Sequence, residues 1–471
     1  MQTECTQKFF AFHPLVRREV EGHFDGGAIT SDAGGLLLRE VEKRTKIIER
    51  FAACSTDHRD PERVEHTVQE LVAQRVYALA LGYEDLNDHD ELRRDPLLAV
   101  LAEKPDPTGA SRVRERDRGK ALAGKSTLNR LELTPAAVED GARYKKIALD
   151  TDGVDRLLVK IFLEAHQQPP AEIVLDLDAT DDPLHGNQEG RFFHGYYGHY
   201  CYLPLYIFCG DHLLCARLRP SNIDASAGSL DEVKRIVAGI RQAWPEVRIT
   251  LRGDSGFCRE ELMAWCEANQ VDYVLGLAKN ERLKAEIVAE QEQAAAEFQA
   301  TGRAARVFKE FHYQTRQSWS RARRVVGKAE HLEKGANPRF VVTSLEGEAW
   351  AARRLYEDLY CARGEMENRI KEQLMLFADR TSTAWLRSNQ IRLYFSSLAY
   401  VLMAALRRLG LKASELAQAQ CATIRLKLLK IGALIRITVR KVRVSMAGGS
   451  PYQDLFAQAY AQLRAAPLSV G

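Results

Sequence analysis

Three acidic positions and one helical face carry residue types suited to chemistry. Asp176 and Asp178 end the apolar run Ile173-Val-Leu-Asp-Leu-Asp178, which reads as a buried strand. Being two residues apart, they point to one face of that strand. An acid there is costly unless something cationic meets it; the plainer alternative is a turn or capping acid. Asp254 lies in Leu251-Arg-Gly-Asp-Ser-Gly-Phe257, just past a second strand. Ligands gather at such strand ends in sheet proteins, although Asp254 or Ser255 could equally cap a helix. Tyr360, Arg363, Glu367 and Lys371 follow one another at spacings of three, four and four on a predicted helix. At about 100° per residue these four share a face, while Glu365 and Glu372 point elsewhere. Surface ion pairing accounts for Arg363, Glu367 and Lys371. It leaves Tyr360 and the strand-end aspartates unexplained.

The elements that must position these residues can be read along the chain. Residues 35–135 read as mainly helical, with one helix over 64–81 stopped by Gly82 and another opening at Ser126 or Thr127 as its cap. Gln167-Gln-Pro-Pro170 breaks the pattern. Beyond it, 200–208 and 213–218 read as strands joined at Gly210 and Asp211, followed by a helix over 230–244. A strand over 247–251, a helix over 259–268 and a strand over 271–277 complete the set. Hairpins first, then strands alternating with helices, predict a mixed sheet covered by helices. Residues 285–300 read as helix and 306–313, 322–326 and 340–344 as strands, giving a β-rich insertion. The chain is helical again over 351–409, and Ile435 to Val444 alternates like a strand with a basic face.

Composition bounds the rest. The 471 residues are 45% hydrophobic and 28% charged, which suits several globular domains and excludes global disorder. The longest mostly apolar stretch, 395–406, is too short to span a membrane. The opening Met1-Gln-Thr-Glu-Cys-Thr-Gln-Lys lacks the apolar core of a signal peptide. Nine scattered cysteines with no C-x-x-C pair argue against a disulfide framework and fit a reducing cytoplasm. His185, His194, His199 and His212 match no zinc spacing, and Gly253-Asp-Ser-Gly lacks the spacing of a nucleophile elbow. Net charge is only +3, but 301–328 holds eight basic residues, Arg316, Arg321, Arg323 and Arg324 among them, against one acid. Residues 424–443 hold seven against none. A third basic group runs from Arg112 to Arg130. Each run suits a phosphate-contacting surface or, more plainly, a solvated face.

Taken together, these stretches resemble a bacterial insertion-sequence transposase of the DDE type. Tyr360-x-x-Arg363-x-x-x-Glu367 is similar to the tyrosine–arginine–glutamate–lysine signature of that class, whose lysine lies two turns past the glutamate; Lys371 lies one turn past. The chain is most similar to the thirteen-eighty insertion-sequence group. The resembling stretches are Gly82-Tyr-Glu-Asp-Leu-Asn-Asp-His-Asp90, Leu175-Asp-Leu-Asp-Ala-Thr-Asp-Asp182, Tyr196-Tyr-Gly, Arg252-Gly-Asp-Ser-Gly-Phe257 and Tyr360-Cys-Ala-Arg-Gly-Glu-Met-Glu-Asn-Arg369. The resemblance implies an α/β multidomain chain whose RNase H-like mixed-sheet core is split by the β-rich insertion. Its segments would be a helical DNA-binding region over 1–168, core over 169–284 and 346–409, insertion over 285–345, and a basic C-terminal region over 410–471. Asp178, Asp254 and Glu367, with Asp176 as alternate for the first, would hold two Mg²⁺ ions, or Mn²⁺ in their place. Hard cations of this kind prefer oxygen ligands, and two of them serve an in-line displacement at phosphorus. Tyr360, Arg363 and Lys371 would contact DNA, as would Arg316, Arg321, Arg323 and Arg324, and Trp319 would stack on a flipped base or simply pack the insertion. The partners implied are terminal inverted-repeat and target DNA, bound by a homodimer. A transposase-derived binding protein without catalysis and another RNase H-like nuclease are the rival expectations.

Overall fold

The computed structural model describes residues 9–139 and 142–467, so the opening octapeptide lies outside the described residues. The chain divides into two compact units, one made of 1–148 with 398–471 and the other of 149–397. The linear five-segment layout does not contain this grouping, in which the last 74 residues join the first 148. Among the described residues, no helix is long and apolar enough to cross a membrane. The eight described cysteines are free thiols.

The second unit is built on a nine-stranded mixed sheet. Its path runs His212–Arg217, Leu205–Cys209, Glu172–Ala179, Arg248–Gly253, Asp272–Leu277, Arg339–Thr343, Arg323–Leu332 and Ala305–Tyr313, with Gly335–Ala336 on the side of Arg323–Leu332. The three central strands, Glu172–Ala179, Arg248–Gly253 and Asp272–Leu277, are mutually parallel and the other pairs antiparallel. The period-2 alternation of those strands divides their side chains cleanly. Ile173, Leu175, Leu177, Ile249, Leu251, Tyr273 and Leu275 enter one core with Val159 and Phe162 of the Thr151–Glu164 helix and Val233, Ile236, Val237 and Ile240 of Ser229–Ala243. The intervening residues Val174, Asp176, Asp178, Thr250, Arg252, Val274 and Gly276 lie on the opposite face. There Val274 joins Val326, Val341, Leu355, Tyr356 and Leu359 in a second, smaller core. One face is therefore apolar along the three parallel strands, and the other becomes polar towards their C-terminal ends.

Two expectations change here. The strands of 305–343 do not leave the sheet as an insertion domain; they extend it beyond Asp272–Leu277, through the Leu275–Val342 and Val326–Val341 register pairs. Moreover, 352–375 is not one regular helix. A short α-turn, Ala352–Arg354, passes into a π segment, Leu355–Tyr360, then a 3₁₀ turn, Cys361–Arg363, before the α-helix Gly364–Met375.

In the first unit the helix Val68–Leu81 starts later than periodicity suggests. Thr67 and Glu70 form a reciprocal capping box, and Gly82 ends the helix at φ 99°. The stretch 82–90 is structural: Asp85 caps a 3₁₀ turn, and His89 is buried against Gln74 at 2.9 Å. Helix Lys125–Glu132 is opened by Gly124 rather than by Ser126 or Thr127, and Asp90 accepts from the Lys125 N–H at 3.2 Å. The expected basic strand over 435–444 is a hairpin, Ala433–Thr438 with Lys441–Met446, and its first strand also pairs with Ile29–Thr30.

Candidate active site

Asp178 is the next-to-last residue of its strand, and Asp254 immediately follows Gly253, the last residue of the adjacent parallel strand. Gly253 pairs with Leu177, so the register carried one residue further sets Asp254 beside Asp178. Both lie at the same edge and face of the sheet. Asp254 Oδ1 accepts from the Gly256 N–H at 2.8 Å, capping the 3₁₀ turn Ser255–Phe257. The capping role and the strand-end location thus coexist in one residue.

The irregular segment 355–363 lies over this edge. Arg363 reaches Asp178 Oδ2 at 3.2 Å and Glu367 Oε1 at 3.5 Å, so one guanidinium bridges two of the three candidate carboxylates. Asp178 is largely buried, and burial pushes its pKa up to about 6; Arg363 opposes the rise, while Asp254 and Glu367 add to it. Burial disfavours the charge on Arg363, but the surrounding Asp178 and Asp254 carboxylates outweigh it and hold the guanidinium above its ordinary range. Tyr360 is raised by burial, with Arg363 lowering and Asp254 raising it. Gly276, on the next strand, leaves room for this arrangement: a Cβ there would stand 2.7 Å from the Tyr360 hydroxyl and 2.8 Å from the Ser255 nitrogen.

Asp176 has a different partner. Arg252, directly opposite it in register, donates to its two oxygens at 2.5 and 2.8 Å and to the Leu359 carbonyl at 2.5 Å. Both side chains are buried. The pair ties the sheet to the π segment that carries Tyr360.

The basic run of 301–328 is largely neutralised. Arg323 is buried and donates to Glu260 at 2.6 Å and Glu267 at 2.7 Å; Arg321 pairs with Glu267 at 2.9 Å. Arg324 donates to Glu310 at 2.5 Å and to the Leu345 and Trp350 carbonyls at 2.7 Å. Trp319 is 6% exposed, set edge-to-face on Tyr313 at 5.9 Å, and belongs to the main core. Its ring is placed for packing and not on an open surface. Arg316 and Lys371 are exposed. Sequence reasoning passed over Lys279 and Arg339, which line a cleft of about 220 Å³ with Asp254, Tyr356 and Tyr360. Lys279 stands just past the third parallel strand, at the same edge as Asp178 and Asp254, and that position was the available signal.

Three carboxylates, with no thiolate or imidazole among them, are the donor chemistry of a hard divalent cation. Burial is the main reason the Asp178 pKa is raised, and Asp254 and Glu367 add a smaller repulsion that a cation between the carboxylates would relieve. As they stand, no three His, Cys, Asp or Glu side chains among the described residues are grouped to hold a metal. Glu367 is turned to Arg363 and its side chain is 53% exposed, leaving it free to reorient.

Residues 12–468 match the family described as "Transposase DDE domain group 1". The chain belongs to this DDE transposase family. No curated protein matches it. Among solved structures, it is similar to a piggyBac transposase in a synaptic complex with hairpin DNA, at 12% identity over 85% of this chain and 80% of that one, with a TM-score of 0.40. The DDE transposase family is one of enzymes, and two of the candidate acids, Asp178 and Asp254, stand at strand ends of the mixed sheet described above.

Proposed function

We propose that the chain is an insertion-sequence transposase of the thirteen-eighty group, cutting and rejoining DNA at the terminal inverted repeats of its own element. In this reading Asp178, Asp254 and Glu367 are the ligands of two divalent ions, Mg²⁺ or Mn²⁺, and Asp176 is not among them. One observation carries it: Asp178 and Asp254 end adjacent parallel strands on the sheet face covered by the segment that bears Tyr360, Arg363 and Glu367.

When bound, the divalent ions would activate a water or 3′-hydroxyl and stabilise the leaving oxygen of an in-line displacement. The protein's own groups do the rest. Arg363 bridges Asp178 and Glu367, and its planar fork suits a phosphate flanking the scissile bond. The Arg252–Asp176 pair fixes the height of the π segment through the Leu359 carbonyl, and so positions Tyr360 and Arg363. Lys279 and Arg339 offer further cations beside Asp254 for the strand leaving the site. The protein would act as a homodimer on DNA, with recognition in the N-terminal region and, as an RNase H-like core, the mixed sheet of 172–343 together with the helical segment that carries Glu367.

A second reading, a transposase-derived binding protein without catalysis, is favoured by the Arg363 guanidinium, which bridges Asp178 and Glu367. One experiment separates the two. Purified protein is incubated with an end-labelled inverted-repeat duplex and Mg²⁺ or, separately, Mn²⁺, then read on a denaturing gel. Nicking that disappears in Glu367→Gln and Asp254→Asn supports the enzyme; binding with no nicking in either metal leaves the second reading.

A further inference from the structure

The first unit contains a cleft of about 880 Å³, lined from 59–71, 104–114, 121–130 and 143–147. Nine Lys and Arg side chains line it against three acids, Glu62, Glu65 and Asp106. Some of the cations are committed: Lys104 pairs with Glu70 at 2.8 Å and Arg112 with Glu65 at 2.9 Å. Others are not so placed. Arg114, Arg130, Arg143 and Lys145 are exposed. Arg130 and Arg143 lie over the ring of Tyr144 at 4.4 and 5.2 Å, and that ring is itself 49% exposed. Lys145 adopts φ 60°, a left-handed conformation that few lysines take. A buried imidazole registers the field of this wall. His66 lies against Arg112 and Lys104, and burial, followed by the charges of Lys104, Arg112 and Arg59, drives its pKa down to about 3. His66 is therefore neutral at ordinary pH, and the positive charge of the cleft is that of its Lys and Arg side chains alone.

We infer that this cleft receives the sugar–phosphate backbone of duplex DNA and positions it without reading its sequence. The inference rests on the transposase reading and deepens it by naming where the duplex is held. Long, exposed cations flanking a half-exposed aromatic ring suit phosphate oxygens and the apolar face of a sugar. Phosphate contacts position a duplex, whereas base contacts specify it. Sequence preference therefore resides elsewhere, and removing these charges weakens all duplexes alike.

The test is a salt titration on the full-length protein, with dissociation constants measured by fluorescence anisotropy for an inverted-repeat duplex and for a scrambled one. Replacing Arg114, Arg130, Arg143 and Lys145 together by Ala should weaken both about 10-fold or more near 0.15 M salt. The slope of log K against log salt should fall by about 3–4, near 0.9 for each phosphate no longer neutralised. Arg114, Arg130 and Arg143 replaced by Lys should retain the wild-type slope. The single variants Arg114→Gln and Arg143→Gln, each of an exposed side chain, should each lower it by about 0.9 and serve if the quadruple variant fails to fold. An unchanged slope in the quadruple and single variants overturns the cleft and leaves the transposase reading standing. Loss confined to the inverted-repeat duplex also overturns it, because the cleft would then be reading sequence. Wild-type protein that binds neither duplex sinks both, whereas intact binding without nicking sinks only the catalytic reading.

Discussion

Asp176 and Asp178 share a strand and a face, yet their partners give them opposite consequences on substitution. Asp176→Asn leaves the buried Arg252 guanidinium without its counter-charge, which costs about 3–5 kcal/mol. Asp178→Asn removes an acid that burial and two neighbouring carboxylates already disfavour, so stability at pH 7 should change by less than about 1 kcal/mol or rise while nicking is abolished. Urea midpoints set beside the gel assay check this, and the opposite pattern would exchange the roles proposed for the two. Asp182 makes a pH-dependent case. Burial pushes its pKa up to about 8; the Thr381 hydroxyl at 2.8 Å and Arg380 oppose the rise, and Asp379 and Asp181 reinforce it. Between about 4 and 8 the folded protein holds a proton that the unfolded chain has released, so stability falls as pH rises through that window. Asp182→Asn should flatten the decline and gain roughly 1–3 kcal/mol at pH 8.5 relative to wild type, read from thermal unfolding at pH 5 and pH 8.5. The sequence showed that an acid in an apolar strand needs a cation. It could not show which cation, because Arg252 meets Asp176 through strand register, a property of two strands and not of either alone.

At the scale of elements, the central strands and their helices were legible because each carries its own period and its own stop signals. The partners of strands 305–343 were not. Alternation predicts a strand but not the edge it joins, and here three segments read as an insertion extend the core sheet. The π segment was also hidden, since a single i→i+5 turn leaves no mark on a 3.6-residue pattern. Trp319 follows from the same misplacement: it packs against Tyr313 beneath Arg323. Trp319→Ala should therefore destabilise by about 3–5 kcal/mol, with DNA affinity at low temperature preserved. A large drop in affinity at unchanged melting temperature would return the ring to a base-stacking role. Gly276→Ala tests how the sheet and the π segment are fitted together. Its methyl must displace the Tyr360 hydroxyl and the Ser255 backbone, and the resulting overpacking should cost about 1–3 kcal/mol. Nicking should fall at least as far as in Tyr360→Ala, because both the Asp254 turn and Tyr360 are moved.

On the scale of the molecule, the first unit is assembled from the two ends of the chain. Ala33 donates to the Ile431 carbonyl at 3.0 Å, and Lys430 pairs with Asp32 at 2.6 Å. Gly34 approaches so closely that a Cβ would stand 2.0 Å from the Leu428 carbonyl oxygen. A fragment of residues 1–148 lacks every one of these partners, and we expect it to be unfolded by circular dichroism; a cooperative melt from that fragment would contradict the division into units. The same feature sets a clock during synthesis. The 249 residues from 149 to 397 separate the two parts, and at roughly 5–20 residues per second a ribosome needs about 12–50 s to cross them. For that interval the helices Gly35–Thr45 and Val68–Leu81 wait without Gln453–Ala465 and Arg425–Leu429, which pack against them, while the sheet behind can already form. A premature stop between codons 398 and 428 would therefore release a polypeptide that retains its three candidate acids but lacks the 428–431 partners of Ala33 and Gly34, a natural substrate for chaperones and proteases.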